Sequence, residues 1–206
     1  MQAGKIVITT KGVDAKLINR LLLYVRDWEF GFQGSWDRQR ILRTRDEVFA
    51  ADLPVDVPPV HDVGDGRAAA SESFENQWEG LSIEEVEKYM LSHDEGGDNT
   101  NLILVLDDKG RHDQTLIVAM RAYNPDEDTL YLPEYDKVRV PWQEVHSMWT
   151  NLDMANMNFD EFCDEEIGAD GNRWWTYKPT FDEDHYAGVA DKRDPAIKEL
   201  EKLDMA

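Results

Sequence analysis

Cofactor-free acid–base chemistry needs a histidine or a carboxylate set beside hydrogen-bonding side chains and an apolar wall. In this chain of 206 residues the types for such a site gather in two places. The first is the stretch 151–162, Asn-Leu-Asp-Met-Ala-Asn-Met-Asn-Phe-Asp-Glu-Phe, with His146 and Trp149 just ahead of it. The second is the pair Asp107 and Asp108. It follows the apolar run 102–106 at the carboxyl end of an expected strand, where open α/β sheets hold ligands. His146 or Asp107 is the candidate acid or base, and Asn151 and Asn156 are the candidate hydrogen-bonding groups. Trp149 and Trp174 are the candidate walls, with Arg139 as a further binding candidate. Plainer roles compete. A lone histidine on an aromatic helix face is first a structural group, and Asp-Asp-Lys-Gly at 107–110 is ordinary turn chemistry.

Helix mechanics account for much of the 151–162 stretch. Asn158 can cap a helix, Glu161 can reach back to the cap's N–H, and Met157 and Phe162 take the places of a hydrophobic staple. Phe159, Phe162, Cys163 and Ile167 then share a face, while Asp160, Glu161, Asp164, Glu165 and Glu166 point elsewhere. The spacing predicts an amphipathic helix with a solvated acidic face. Capping leaves Asn151 and Asn156 unexplained, which keeps both as site candidates.

Composition removes several function classes. The formal net charge is −21, from 22 basic and 43 acidic residues, a field that repels phosphate backbones and anionic membranes. Nucleic acid and membrane are therefore not expected as partners; a basic protein is. Cys163 is the single cysteine, so an intrachain disulfide and a cysteine-based zinc site are excluded. His61, His93, His112, His146 and His185 are scattered, and no metal or other cofactor is expected. No phosphate-cradling glycine loop, G-x-S-x-G, H-E-x-x-H or C-x-x-C is present. With no signal-peptide-like run and no segment near the ~20 apolar residues that span a bilayer, a soluble cytoplasmic protein is expected. Arg38, Arg40, Arg43 and Arg45 form a basic cluster. It reads first as an internal ion-pair network, and otherwise as an anchor for a carboxylate or phosphate on a small ligand.

The elements that would position these residues follow from periodicity. Residues 5–10 form a buried strand, and Asp14 caps a helix reaching about Trp28. Residues 53–70, rich in Pro and Gly, read as a surface loop or insertion. Ser82 with Glu85 begins a second capped helix to about Ser92. The runs 102–106 and 116–120 are strands, and 130–132 and 137–140 are two shorter ones separated by Pro133. Pro141 starts a helix to Asn151, and 173–177 is a last aromatic strand. A short helix capped by Asp194, with Pro195 first, lies in an acidic tail. The fold class is α/β, with α+β as the alternative. It comprises one domain over 1–178, with a mixed sheet of about five strands flanked by helices, and a C-terminal extension over 179–206.

The run Asn151-Leu152, Ala155-Asn156-Met157, Phe159 and Phe162, preceded by Arg139-Val140-Pro141, resembles a family of small bacterial and fungal proteins. That family is described only as a domain of unknown function, with a pattern N-L-x-x-A-N-M-D-F-x-x-F after an R-V-x-P strand end. The likeness spans residues 5 to about 177. This chain departs from it with Asn158 in place of Asp, His146 in place of Trp, and Asp170-Gly171-Asn172-Arg173-Trp174 in place of D-G-x-F-R. Residues 55–70 and the tail after Pro179 are extra. The resemblance implies a fold and brings no activity.

Two functions stand against each other at this point. One is an acidic binding or regulatory domain for a basic protein partner, of which a nucleic-acid mimic is a special case. The other is a cofactor-independent enzyme of isomerase, cyclase or hydrolase type acting on a small organic molecule beside the 151–162 turn.

Overall fold

The computed structural model describes residues 4–28, 39–50, 53, 56–58, 67–68, 75–93, 100–123, 131–180 and 182–206. The strands are β1 (Gly4–Ile8), β2 (Gln39–Leu42), β3 (Asp56–Val57), β4 (Arg67–Ala68), β5 (Leu102–Leu106), β6 (Thr115–Tyr123), β7 (Tyr131–Pro141) and β8 (Trp174–Trp175). The helices are α1 (Ala15–Tyr24), α2 (Ile83–Ser92), α3 (Asp108–Asp113), α4 (Trp142–Asp153) and α5 (Glu183–Lys202). Among the described residues six strands form one mixed sheet, ordered β2-β1-β5-β6-β7-β8, and β3 pairs with β4 apart from it. β1 lies parallel to both β2 and β5, while β5–β6 and β6–β7 are antiparallel. The fold is mixed α/β, and its six-stranded mixed sheet agrees with the expected sheet of about five strands.

The pleat of β1 and β5 divides the core in two. Ile6, Ile8, Leu104 and Leu106 join a cluster with Leu21 of α1 and Trp142, Val145, Met148 and Trp149 of α4. Val7, Ile103 and Val105 join the other cluster, with Trp78 and with Val86 and Met90 of α2. Burial on both faces is why these strands read as unbroken apolar runs. Local capping fixes where the helices start. Asp14 accepts from the Leu17 N–H at 2.8 Å, and Ser82 and Glu85 exchange bonds at 3.3 and 2.8 Å.

Several expectations need correction. β2 escaped notice because its four residues, Gln-Arg-Ile-Leu, carry too little alternation to register. Residues 130–140 are not two strands, since β7 runs through Pro133. That proline sits where the pairing register with β6 shifts between Arg121 and Tyr123, so no ladder bond is asked of it. Residues 108–113 form a short helix where a turn was expected. The expected amphipathic helix after Asn158 stops after one 3-10 turn, Phe159–Phe162. Cys163 leaves it extended to bridge Tyr177, while the Asp164 N–H donates to the Thr176 carbonyl at 2.9 Å. The turn therefore ends in strand-like pairing, and Ile167 is left 65% exposed.

The tail differs most. α5 starts at Glu183, capped by Asp182 (His185 N–H to Oδ1, 2.9 Å), and carries Pro195 inside it. Ala196, Ile197 and Leu200 are buried against Leu23 and Trp28. Arg193 sits 4.3 Å over the Tyr24 ring, Arg20 pairs with Glu201 at 3.8 Å, and Asn19 bonds the Met205 carbonyl at 2.9 Å. An N-cap and a proline are both good start signals, and tertiary docking of the turns before Pro195 decided between them.

An interior proline costs a helix about 3 kcal/mol. Pro195→Ala should therefore raise thermal or denaturant stability, by up to about that amount. An unchanged or lowered midpoint would mean that the helix starts at Pro195.

Candidate functional site

The chain leaves β1 toward β2 on one side and leaves β5 toward β6 on the other, so the carboxyl ends of β1 and β5 form a switch point of the α/β type. Its residues are bonded to one another. The Thr10 hydroxyl donates to Asp108 Oδ1 at 2.6 Å, and the Thr9 and Thr10 N–H groups share the Leu106 carbonyl at 2.8 and 3.2 Å. Arg111 donates to the Lys11 carbonyl at 2.6 Å. Asp107 caps α3 through the Gly110 N–H (2.6 Å) and takes both arms of Arg139 at 2.9 and 2.7 Å. Gly110 has to be glycine, because a Cβ there would lie 2.4 Å from the Thr115 carbonyl oxygen. Burial raises the Asp107 pKa, but the bonds from Arg139 and Gly110 outweigh it and hold the carboxyl below its ordinary value. An anion held in this way is a weak base near neutrality.

Trp174 joins this pair, its ring 5.9 Å from the Arg139 guanidinium and 6.0 Å from Lys137 Nζ. Three sequence candidates, Asp107, Arg139 and Trp174, thus meet. Alternation along β7 puts Arg139 on the face opposite Val138 and Val140, which belong to the α1–α4 core, so these three share the α2 face. His146 lies on the other face, on α4. Its Nε2 is 3.3 Å from the Thr150 hydroxyl and 3.9 Å from Asp27, and its ring is 6.3 Å from that of Trp149. Trp149 is only 2% exposed, a core residue that packs beside Gly4. His146 and Asp107 share no contact.

Asn151 and Asn156 belong to the stop signal of α4. The Asn156 N–H donates to the Asn151 carbonyl (2.9 Å) and the Ala155 N–H to that of Leu152 (3.1 Å), the paired bonds of a Schellman motif. Ala155 takes the left-handed position with φ +52°. The Asn151 side chain donates to the Ser147 carbonyl at 2.9 Å, and Asn156 is exposed. What capping at Asn158 left unexplained, the C-terminal cap explains. The sequence hid this because an alanine stands where glycine usually signals such an end.

Other groups gave no spacing signal at all. Glu144, 6% exposed, accepts from Tyr177 (2.5 Å) and from Tyr186 of α5 (2.6 Å), and burial with that carboxylate pushes the Tyr177 pKa up. Cys163 donates to the Phe159 carbonyl, and burial, with Asp136 and Asp160, raises its thiol to about 12, far from a nucleophile. Residues 140–172 contain eight Asp or Glu and no Lys or Arg. Within that segment Asp164 and Asp170 are spent on their own loops: Asp164 accepts from Glu166 and Ile167 N–H, Asp170 from Asn172 and Trp174 N–H. Asp160, Glu165 and Glu166 are exposed, with no side-chain partner among the described residues.

The fold and these surfaces define a mixed α/β domain in which no acid–base pair has been assembled from the candidate residues. The chain belongs to the family described as a domain of unknown function (DUF6924), whose model matches residues 55–173. Neither the curated proteins nor the solved structures contain a match to it. Among the described residues no helix is long and apolar enough to cross a membrane.

Two substitutions test the geometry. A left-handed non-glycine residue costs roughly 1–2 kcal/mol and glycine's extra unfolded-state entropy about 0.4–1 kcal/mol, so Ala155→Gly should gain about 0.5–1 kcal/mol in denaturant unfolding. A loss would contradict the cap. Asp107→Asn should cost about 1–3 kcal/mol at neutral pH. The folded pKa is depressed, so the pair's stabilisation is present above the ordinary value of about 3.9 and fades as pH falls through the lower folded value. The variant should lack that acid-side slope. If both proteins lose stability with acid alike, the pair is not formed.

Proposed function

We propose that the protein is a cytoplasmic, acidic binding domain that engages a basic protein partner through the segment 153–170. The observation that carries this is the run of 33 residues, 140–172, with eight carboxylates and no cation. Asp160, Glu165 and Glu166 are exposed and uncommitted there, beside two exposed apolar side chains, Met154 at 45% and Ile167 at 65%. Phe162 and Cys163, both 1% exposed, anchor the segment to the core, and the Asp164 and Asp170 turns fix its loops. A partner surface of Lys or Arg around an apolar side chain complements this pattern. Its charges would set the encounter rate, and the apolar contacts would set the residence time.

The test is binding of the full chain to an amphipathic Lys/Leu peptide over a range of salt. Affinity should fall as salt rises. The triple variant Asp160→Lys, Glu165→Lys, Glu166→Lys should weaken binding about tenfold or more. The triple variant Glu79→Lys, Glu84→Lys, Glu199→Lys makes the same change in net charge elsewhere and should bind nearly as wild type. Equal losses in both variants, or binding indifferent to salt, would sink the assignment.

A further inference from the structure

The basic cluster divides once its partners are known. Arg43 makes two bonds to Asp56 at 3.1 and 2.8 Å, and Arg40 donates to the Leu53 and Gln39 carbonyls at 3.1 and 3.3 Å. Arg38 lies outside the described residues. Arg45 is a different case. Its guanidinium is half-buried over the Tyr89 ring at 5.3 Å and the Trp78 ring at 6.0 Å, and among the described residues its side chain has no hydrogen bond and no ion pair. In a chain with 43 carboxylates an arginine side chain that meets none of them stands out, and with no buried nitrogen it keeps its N–H groups open to an acceptor arriving from solvent.

A second donor at the same ring also lacks an acceptor. Trp78 is 0% exposed, stands edge-on to Tyr89 at 5.2 Å, and its indole N–H is unpartnered among the described residues. Trp78 thus supports Tyr89 from within the core, while the Arg45 donors on the same ring are not buried. On the same ring His93 stacks at 4.2 Å and 25°, and Phe49, 40% exposed, lies 6.1 Å from His93. The backbone is fixed where the guanidinium starts. The Arg45 N–H donates to Gln77 Oε1 (3.1 Å), and the Gln77 N–H donates to the Arg43 carbonyl (2.9 Å).

We infer that Arg45, Tyr89, His93 and Phe49, backed by the buried Trp78, form a binding site for a small aromatic carboxylate. The planar guanidinium, held 5.3 Å from the Tyr89 ring centre, carries an N–H fork that can match a carboxylate in two parallel bonds. The His93–Phe49 surface offers stacking to the ligand ring. Two carboxylates limit the charge that the site accepts. Asp46 is exposed and unpaired with Arg45, and Glu47 accepts from the Arg43 and Thr44 N–H groups. A dianion doubles the attraction to Arg45 together with the repulsion from Asp46 and Glu47, so selection of the carboxylate rests on its planar two-pronged match to one guanidinium. The site begins three residues beyond β2, at the carboxyl edge of the parallel strands, on the α2 face.

The experiment is a titration of the full chain with benzoate and indole-3-acetate, followed by amide and side-chain NMR shifts. Benzamide, which has no charge, and acetate, which has no ring, serve as comparisons. Saturable shifts should centre on residues 45, 49, 78, 89 and 93, with both comparison molecules about tenfold weaker or more. Arg45→Lys keeps the charge but loses the planar fork, and should weaken benzoate about tenfold. Lys88→Gln on the exposed side of α2 should leave it unchanged. Absence of saturable shifts in the wild-type chain, shifts centred elsewhere, equal binding of benzamide, or full affinity in Arg45→Lys would each overturn the site. The wild-type shift map stands even if the variant fails to fold.

Discussion

Burial of β1 and β5 on both faces is the constraint from which the other elements take their places. Ile6, Val7, Ile8, Ile103, Leu104, Val105 and Leu106 are all 0% exposed. At about 1.5–3 kcal/mol each they supply on the order of 10–20 kcal/mol of gross stabilisation, comparable to the whole net stability of a domain. Neither face can reach water, so each needs a helical layer. α1 and α4 cover one side and α2 the other. The Asp107–Arg139 pair clips the end of β5 to β7, two strands away, and Gly110 lets α3 sit against the start of β6. α5 adds a third layer on α1, tied across to α4 through Tyr186 and Glu144.

The same chain must keep a large excess of carboxylates from disturbing that core, and several of them close its margins. Along edge strand β2 and just past its end, backbone N–H groups are taken by acids: Ile41 donates to Asp56 and Arg43 to Glu47. At the opposite edge β8 covers β7 for two residues only, and Pro133 and Glu134 occupy part of what remains. Both devices leave little for another strand to pair with. Inside the α2 layer, Lys137 meets Glu87 at 2.8 Å, while Lys5 is held by the Val48 carbonyl and burial pulls it down to about 8. These buried cations are matched one by one. Arg45 differs from them in being half-exposed, with no carboxylate partner among the described residues.

The parts of this fold legible in the sequence were those that depend on local periodicity and caps. The runs 102–106 and 116–120, Ser82 with Glu85, and Asp14 all announce themselves within a few residues. What escaped depends on partners distant in sequence. The 3-10 turn at Phe159 gives way because Cys163 finds Tyr177, and α5 extends back to Glu183 because its early turns dock on the core. Of the candidate site, the sequence located Asp107, Arg139 and Trp174 without their mutual contact, since no spacing joins positions on β5, β7 and β8. Asn151 and Asn156 stood out for a reason that was real but conformational. They flank a left-handed Ala155, and alanine carries no signature of that conformation.

A net charge of −21 describes two surfaces that salt would affect in opposite directions. The segment 153–170 packs on the α1–α4 core through Phe159, Phe162 and Cys163, whereas Arg45, Tyr89 and Trp78 belong to the α2 layer. At physiological ionic strength charges are screened over about 8 Å, so each surface responds chiefly to its own neighbours. A cationic partner at the acidic segment gains from every nearby carboxylate and loses as salt screens them. An anionic ligand at Arg45 is attracted by one guanidinium and repelled by Asp46, Glu47 and the field beyond them. Added salt removes the repulsion faster than the short bidentate contact, because the contact is partly desolvated and the field is not. On the proposed reading, the composition that would draw a cationic partner to one surface requires an anion at the other to rely on close geometry, and the Arg45 guanidinium held 5.3 Å from the Tyr89 ring centre would provide it.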